Sequence, residues 1–273
     1  MLNLRRLPDG GLTIDIRLTS PTVYLDYCAI ADLAGAPQIG ERFKAALLSK
    51  SGTLYLSWAH LLEIYGLGMG PSYEKIRAYL ASFGCSFVIM DCDAGAVIAR
   101  EASYQPGKQN PALDVDFLKV TLANWDGVGD LNFAVLLETI DRDTAALEHY
   151  KDLHRKHRDG LFRMFDDARR EYRSNLQAKN RLDSAAYQHI PGTPPTEYLR
   201  NQLVRQMIVT HEPLKPSDGI DLEHGVVSLA YVEHVVLDKK WAARVQRFPL
   251  PQRVAKVWKV GQLWALTSEL KEM

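Results

Sequence analysis

The chain has 273 residues, 47% hydrophobic and 24% charged, with 33 basic against 33 acidic side chains and a formal net charge of zero. That balance is typical of a globular protein and excludes a global basic field, although a local patch is enough to bind nucleic acid. Cys28, Cys85 and Cys92 are scattered and fit neither a disulfide framework nor a zinc spacing, which points to a reducing, cytoplasmic setting. No apolar run approaches the roughly 18 residues of a membrane span, and no signal-peptide pattern follows the first basic residues.

Residues 12–19 alternate, with Leu12, Ile14, Ile16 and Leu18 against Thr13, Asp15, Arg17 and Thr19. This is strand spacing, and the turn signal at 8–11 predicts an extra edge strand or hairpin. Val23, Tyr24 and Leu25 then form a short apolar run that ends on Asp26, behind the breakers Ser20 and Pro21. A helix is expected over 27–34, a loop over 35–40, and a second helix over 40–50, stopped by Ser51 and Gly52. Thr53–Ser57 reads as a buried strand and 58–65 as a helix ended by Gly66 and Gly68. Pro71 opens a helix through 83, 86–90 is a buried strand, and Asp91 is placed to cap a helix over Ala94–Ala102.

This β-α-β alternation predicts a parallel sheet of about five strands flanked by helices. From about 112 to 208 the periodicity is wholly helical. Its charge-rich part, 141–183, reads as a long solvated helix, with a phosphate-docking basic face as the alternative. His149, His154 and His157 belong to that face, since no carboxylate or cysteine pattern makes them a zinc site. After a Pro-rich loop the α/β pattern resumes. A helix capped by Ser217 and Asp218 runs to 230, and the strand 235–237 ends on Asp238. A short helix at 241–245, a strand at 254–260 and a helix at 263–271 complete the chain. The organisation expected is an α/β domain in two parts, 1–104 and 213–273, around a helical insertion at 105–212.

Five carboxylates occupy readable places. Asp26 and Asp238 end strands, Glu63 lies in the helix after the second parallel strand, and Asp218 and Asp221 share one face of a helix start. In an open α/β sheet the carboxyl ends of the strands are where ligands bind. Hard oxygen ligands gathered there suit Mg²⁺ or Mn²⁺, and without a cation such a cluster repels itself.

The segments VYLDYCAIADLAG (23–35), LYLSWAHLLEIYGLG (54–68), CSFVIMDCDAGAVIAREA (85–102) and PSDGIDLEHGVVSLAYVEHVVLDKKW (216–241), in this order, resemble the motifs of PIN-domain nucleases. The resemblance covers roughly 21–102 and 213–271. It implies an α/β PIN-like fold and Mg²⁺- or Mn²⁺-dependent hydrolysis of phosphodiester bonds, usually in RNA. By position, Asp26, Glu63, Asp221 and Asp238 take the acidic roles, and Asp218 is an alternative or accessory metal ligand. His224 and Ser57 are candidate substrate contacts. An antitoxin-like protein inhibitor is a partner that compact family members often have. Two positions depart from the pattern: Tyr27 follows the first acid where small hydroxylated residues are common, and Val236 stands two before Asp238 where Thr or Ser is usual.

Two rivals follow. Tyr27 and Val236 motivate a catalytically weak PIN-like module that binds RNA or protein. Asp91-Cys92-Asp93 is similar to the D-x-D of haloacid-dehalogenase-type phosphohydrolases, but Ala94 intervenes before Gly95 and no Thr follows. The Gly-rich 65–71 lacks the Lys-Ser/Thr of a phosphate loop and reads as a helix stop. Trp58, Trp125, Trp241, Trp258 and Trp264 are expected to be core anchors.

Overall fold

A computed structural model of the chain describes residues 1–7, 11–66, 70–104, 110–123, 125, 127–185 and 187–273, with backbone alone at 144–146. The expected turn residues 8–10, and Gly68 at the end of the Glu63 helix, lie outside these.

The chain opens with β1 (Leu2–Arg6) and β2 (Leu12–Ile16), an antiparallel hairpin. It is not an edge of the main sheet. Its inner strand pairs with β6 (Gly129–Asp130), through Asn3 with Asp130 and Leu4 with Gly129, to make a separate small sheet. The expected insertion therefore supplies a strand to the N-terminus.

Among the described residues the main sheet has five strands, all parallel: β3 (Thr22–Leu25), β4 (Thr53–Ser57), β5 (Phe87–Met90), β7 (His234–Leu237) and β8 (Lys256–Lys259). Their spatial order is β5-β4-β3-β7-β8. Val23, Tyr24 and Leu25 are completely buried, as befits a central strand covered on both faces. The chain winds outward from β3 to β5 and later returns to β7 on the other side of β3. The reversal of strand order falls between β3 and β7, the crevice where open α/β sheets bind ligands.

Helices cover both faces. The first group is α1 (Tyr27–Gly35), α2 (Pro37–Ser49), α4 (Pro71–Ala81) and the C-terminal α13 (Leu263–Glu272). The expected loop over 35–40 is mostly the start of α2. Pro37 sits at its first position, where a missing N–H costs nothing. Gly40 is a close-packing residue, since a Cβ there would stand 2.4 Å from the Leu33 carbonyl oxygen. The second group is α5 (Ala94–Ala102), α10 (Thr196–Val209) and α11 (Asp218–Tyr231). Asp93, not Asp91, caps α5 by accepting from the Ala96 N–H; Asp91 pairs with Arg100 at 2.6 Å instead.

Most of the described residues in 112–208 are helical, with β6 and short non-helical connections between the helices. It contains α6 (Val115–Thr121), α7 (Phe133–Arg142), the 31-residue α8 (Thr144–Ser174) and α9 (Leu176–Ser184), which restarts at the cap Asn175. Much of the charge on α8 is paired along the helix: Asp152 with Arg155 and Lys156, Glu148 with Lys151, and Asp166 and Asp167 with Arg170. The solvated reading of that face accounts for these pairs. The insertion is tied to the sheet domain. Asp141 on α7 accepts from Tyr65 and pairs with Arg77 at 2.6 Å, and α8 crosses α11 where Leu161 meets Gly219. One apolar core runs through all three parts of the chain.

Trp241 and Trp258 are core anchors as expected, whereas Trp264 is 49% exposed and lies under the Arg42 guanidinium. The three cysteines are free thiols. No helix among the described residues is long and apolar enough to cross a membrane.

Candidate functional site

β3 ends at Leu25, and Asp26 becomes the N-cap of α1, its Oδ1 accepting from the Tyr27 N–H at 2.8 Å. β7 ends at Leu237, and Asp238 is the N-cap of α12 (Lys239–Val245), accepting from the Trp241 N–H at 2.7 Å. The strands are neighbours, and the Asp26 N–H donates to the Val236 carbonyl at 2.9 Å. Two strand-end acids thus sit side by side at the reversal point, each with the electropositive start of a helix behind it.

α3 (Trp58–Gly66) follows β4 without a loop and carries Glu63 toward the same edge. α11 brings Asp221, whose Oδ2 accepts from the Trp241 indole N–H at 3.3 Å. These four carboxyls interact electrostatically. Burial, and then the charges of Asp26 and Asp221, raise the Glu63 carboxyl to about 8. Burial, and then Asp26, with smaller contributions from Asp218 and Asp238, raise Asp221 to about 7. Asp26 is raised by burial and by Asp238, against hydrogen bonds from Cys28 and from backbone N–H groups. The structure therefore brings Asp26, Glu63, Asp221 and Asp238 to one edge of the sheet.

The remaining expected site residues are placed differently. Asp218 is buried and held in an ion pair, 2.7 Å from the Lys240 ammonium, while its other oxygen accepts from the Lys215 N–H. It is an internal tie between α11 and α12. Ser57 is completely buried, with its hydroxyl 2.9 Å from His60 Nδ1. His224 is 6% exposed, and its Nδ1 shares a 3.0 Å hydrogen bond with the Tyr24 hydroxyl. Neither faces solvent. Both belong to a packed layer beneath the acids, in which His60, Tyr24 and His224 lie ring against ring. Burial holds both imidazoles in the neutral form, with His60 lowered to about 4.

Two residues at the site were not singled out by their place in the sequence. Cys28 donates its thiol to Asp26 Oδ2 at 3.3 Å, and burial keeps that thiol protonated. His60 bonds both Ser57 and the Leu25 carbonyl. The Ser57-x-x-His60 spacing is the legible signal for the latter, since the third residue of a helix reaches back to its cap.

Among the described residues no three His, Cys, Asp or Glu side chains converge closely enough to form a ready-made metal cage. The acids share an edge rather than enclose a point. Asp91 and Asp93, at the end of β5, are both engaged: Asp91 with Arg100 and the Asp93 N–H, Asp93 with the start of α5. A cavity of ≈ 900 Å³ lined by Tyr104, His189, Tyr231 and Arg253 includes none of the four acids.

The class defined by these observations is an α/β protein with a parallel sheet and a coupled carboxylate cluster at its topological switch point. Comparison with protein-family models, curated proteins and solved structures yields no match.

Proposed function

We propose that the chain is a Mg²⁺- or Mn²⁺-dependent nuclease of PIN-like fold that hydrolyses phosphodiester bonds in RNA. The observation that carries this reading is the placement of Asp26, Glu63, Asp221 and Asp238, four acids delivered by separate elements to one sheet edge. The sheet and the order in which the acids enter it agree with the resemblance to PIN-domain nucleases.

The donor set fits a hard divalent cation. All four groups are carboxylates, and burial together with neighbouring acid charges raises the proton affinity of Asp26, Glu63 and Asp221. Mg²⁺ keeps several waters and takes one or two carboxylates together with substrate phosphate, so it does not require a closed protein cage. A cation bound there supplies Lewis-acid polarisation of a phosphoryl oxygen and a more acidic water. Asp26 and Asp238 are held by their own helix caps and would ligate from fixed positions. Glu63, on the helix beside Asp26, would orient an attacking water or accept its proton.

The test is a Mn²⁺ titration followed by paramagnetic resonance, paired with an RNA cleavage assay. The nuclease reading expects one or two bound Mn²⁺, and both binding and cleavage lost in Asp26→Asn. RNA affinity without Mn²⁺ uptake or cleavage would instead identify a binding module.

A further inference from the structure

We propose that His60 is the positioning residue of the acid site, a single imidazole that fixes the peptide preceding Asp26 to the helix that carries Glu63. This rests on the functional reading above and adds the group that sets its geometry.

α3 begins at Trp58, directly after Ser57 ends β4, so Ser57 stands at the cap position and His60 at the third helical position. In a capping box the third-position side chain, usually Glu or Gln, accepts from the backbone N–H of the cap. Here His60 Nδ1 accepts from the Ser57 N–H at 3.0 Å. That bond fixes the tautomer, because an N–H can only donate and Nδ1 must accept. The ring proton is therefore on Nε2, which donates to the Leu25 carbonyl at 3.0 Å.

The Leu25 carbonyl needs such a donor. Registered pairing of β3 with β4 ends at Tyr24–Tyr55, while β4 continues to Ser57 against β5 and the Ser57 N–H goes to His60. A carbonyl left buried without a partner loses its hydration with nothing in return. His60 supplies the bond from the helix. The N–H of the same peptide, that of Asp26, is held from the opposite side by the Val236 carbonyl at 2.9 Å. The peptide on which Asp26 depends is thus gripped between β7 and α3. Glu63 lies three residues beyond His60, on the same face of the helix. The imidazole is completely buried, with the Tyr24 and His224 rings 5.2 and 5.5 Å away, so it has no room to swing. A Glu at position 60 would keep the cap but not the donation to Leu25, whereas Gln carries both an acceptor and a donor.

The test compares His60→Leu and His60→Gln in the full chain, by native-state amide exchange and by Mn²⁺ titration. In His60→Leu the Asp26 amide is expected to exchange about tenfold faster while the amides of Tyr55 and Val88 keep their protection. Mn²⁺ affinity is expected to fall about tenfold. His60→Gln should restore both. Unchanged Asp26 exchange in His60→Leu overturns the proposal. So does a uniform loss of protection across β4 and β5, which assigns His60 to packing alone. If the unsubstituted protein takes up no Mn²⁺, the metal reading fails by itself, and the exchange pattern still decides the role of His60.

Discussion

Asp26 and Asp238 end adjacent parallel strands, and burial together with the charge of Asp238 raises the proton affinity of Asp26. Each also begins a helix, so neither can move without uncapping it. This pairing of strand end with helix start makes the edge both acidic and stiff, and its consequences can be measured.

The first concerns pH. Glu63 rises from 4.5 to about 8 in the folded protein and Asp221 from 3.8 to about 7. The folded state therefore binds more protons than the unfolded state between about pH 4 and 8, and stability falls as pH rises through that window. In the absence of divalent ions, unfolding free energy should drop by on the order of 2 kcal/mol or more from pH 5 to pH 8. Glu63→Gln should flatten the profile, and Mn²⁺ at 100 times its Kd should return about 2.7 kcal/mol at pH 8. Thermal melts across the pH range, with and without Mn²⁺, check all three.

Asp218 and Asp26 should separate cleanly under substitution. Asp218 is buried against Lys240, and removing one partner of such a pair leaves a charge without compensation. Asp218→Asn should cost about 2–4 kcal/mol in urea unfolding while Mn²⁺ affinity changes little. Asp26→Asn should do the reverse, abolishing Mn²⁺ binding and cleavage with a smaller change in stability.

Gly219→Ala probes the crossing of α8 and α11. The added Cβ would stand 2.6 Å from the Cβ of Leu161, so the helices must separate, at a cost of about 1–3 kcal/mol. Leu161→Ala should not relieve the strain, because it retains the atom in conflict. Urea unfolding of the single and double variants tests this.

Tyr24→Phe removes the hydroxyl that serves His224 Nδ1. His224 Nε2 already has no partner in the structure, so both ring nitrogens would then be buried and unpaired. A loss of about 1–3 kcal/mol is expected. Combining Tyr24→Phe with His224→Leu should cost less than the sum of the single changes, a non-additivity that a double-mutant cycle reads directly.

Much of the sheet was legible because its strands are buried on both faces, so Val23 to Leu25, Thr53–Ser57 and Val235 to Leu237 read as short apolar runs between breakers. The limits of α5 at Ala94–Ala102 also matched their pattern. β6 was not legible: two residues become a strand only by pairing with Asn3 and Leu4, more than a hundred positions away. The start of α2 was missed because Gly40, read as a loop residue, serves a close contact with α1. At the site, strand-end acids could be found by position. The engagement of Asp218 by Lys240, and the burial of Ser57 and His224, depend on what packs over them, and periodicity does not encode that.

The pairing of β1 with β6 has a corollary for truncation. A shortened version of this protein made by excising 105–212 would strip the hairpin of its third strand and leave the outer edge of β1 without the backbone partners it has at 129–131. The helical segment and the first sixteen residues are therefore expected to depend on each other, so that trimming one calls for trimming the other.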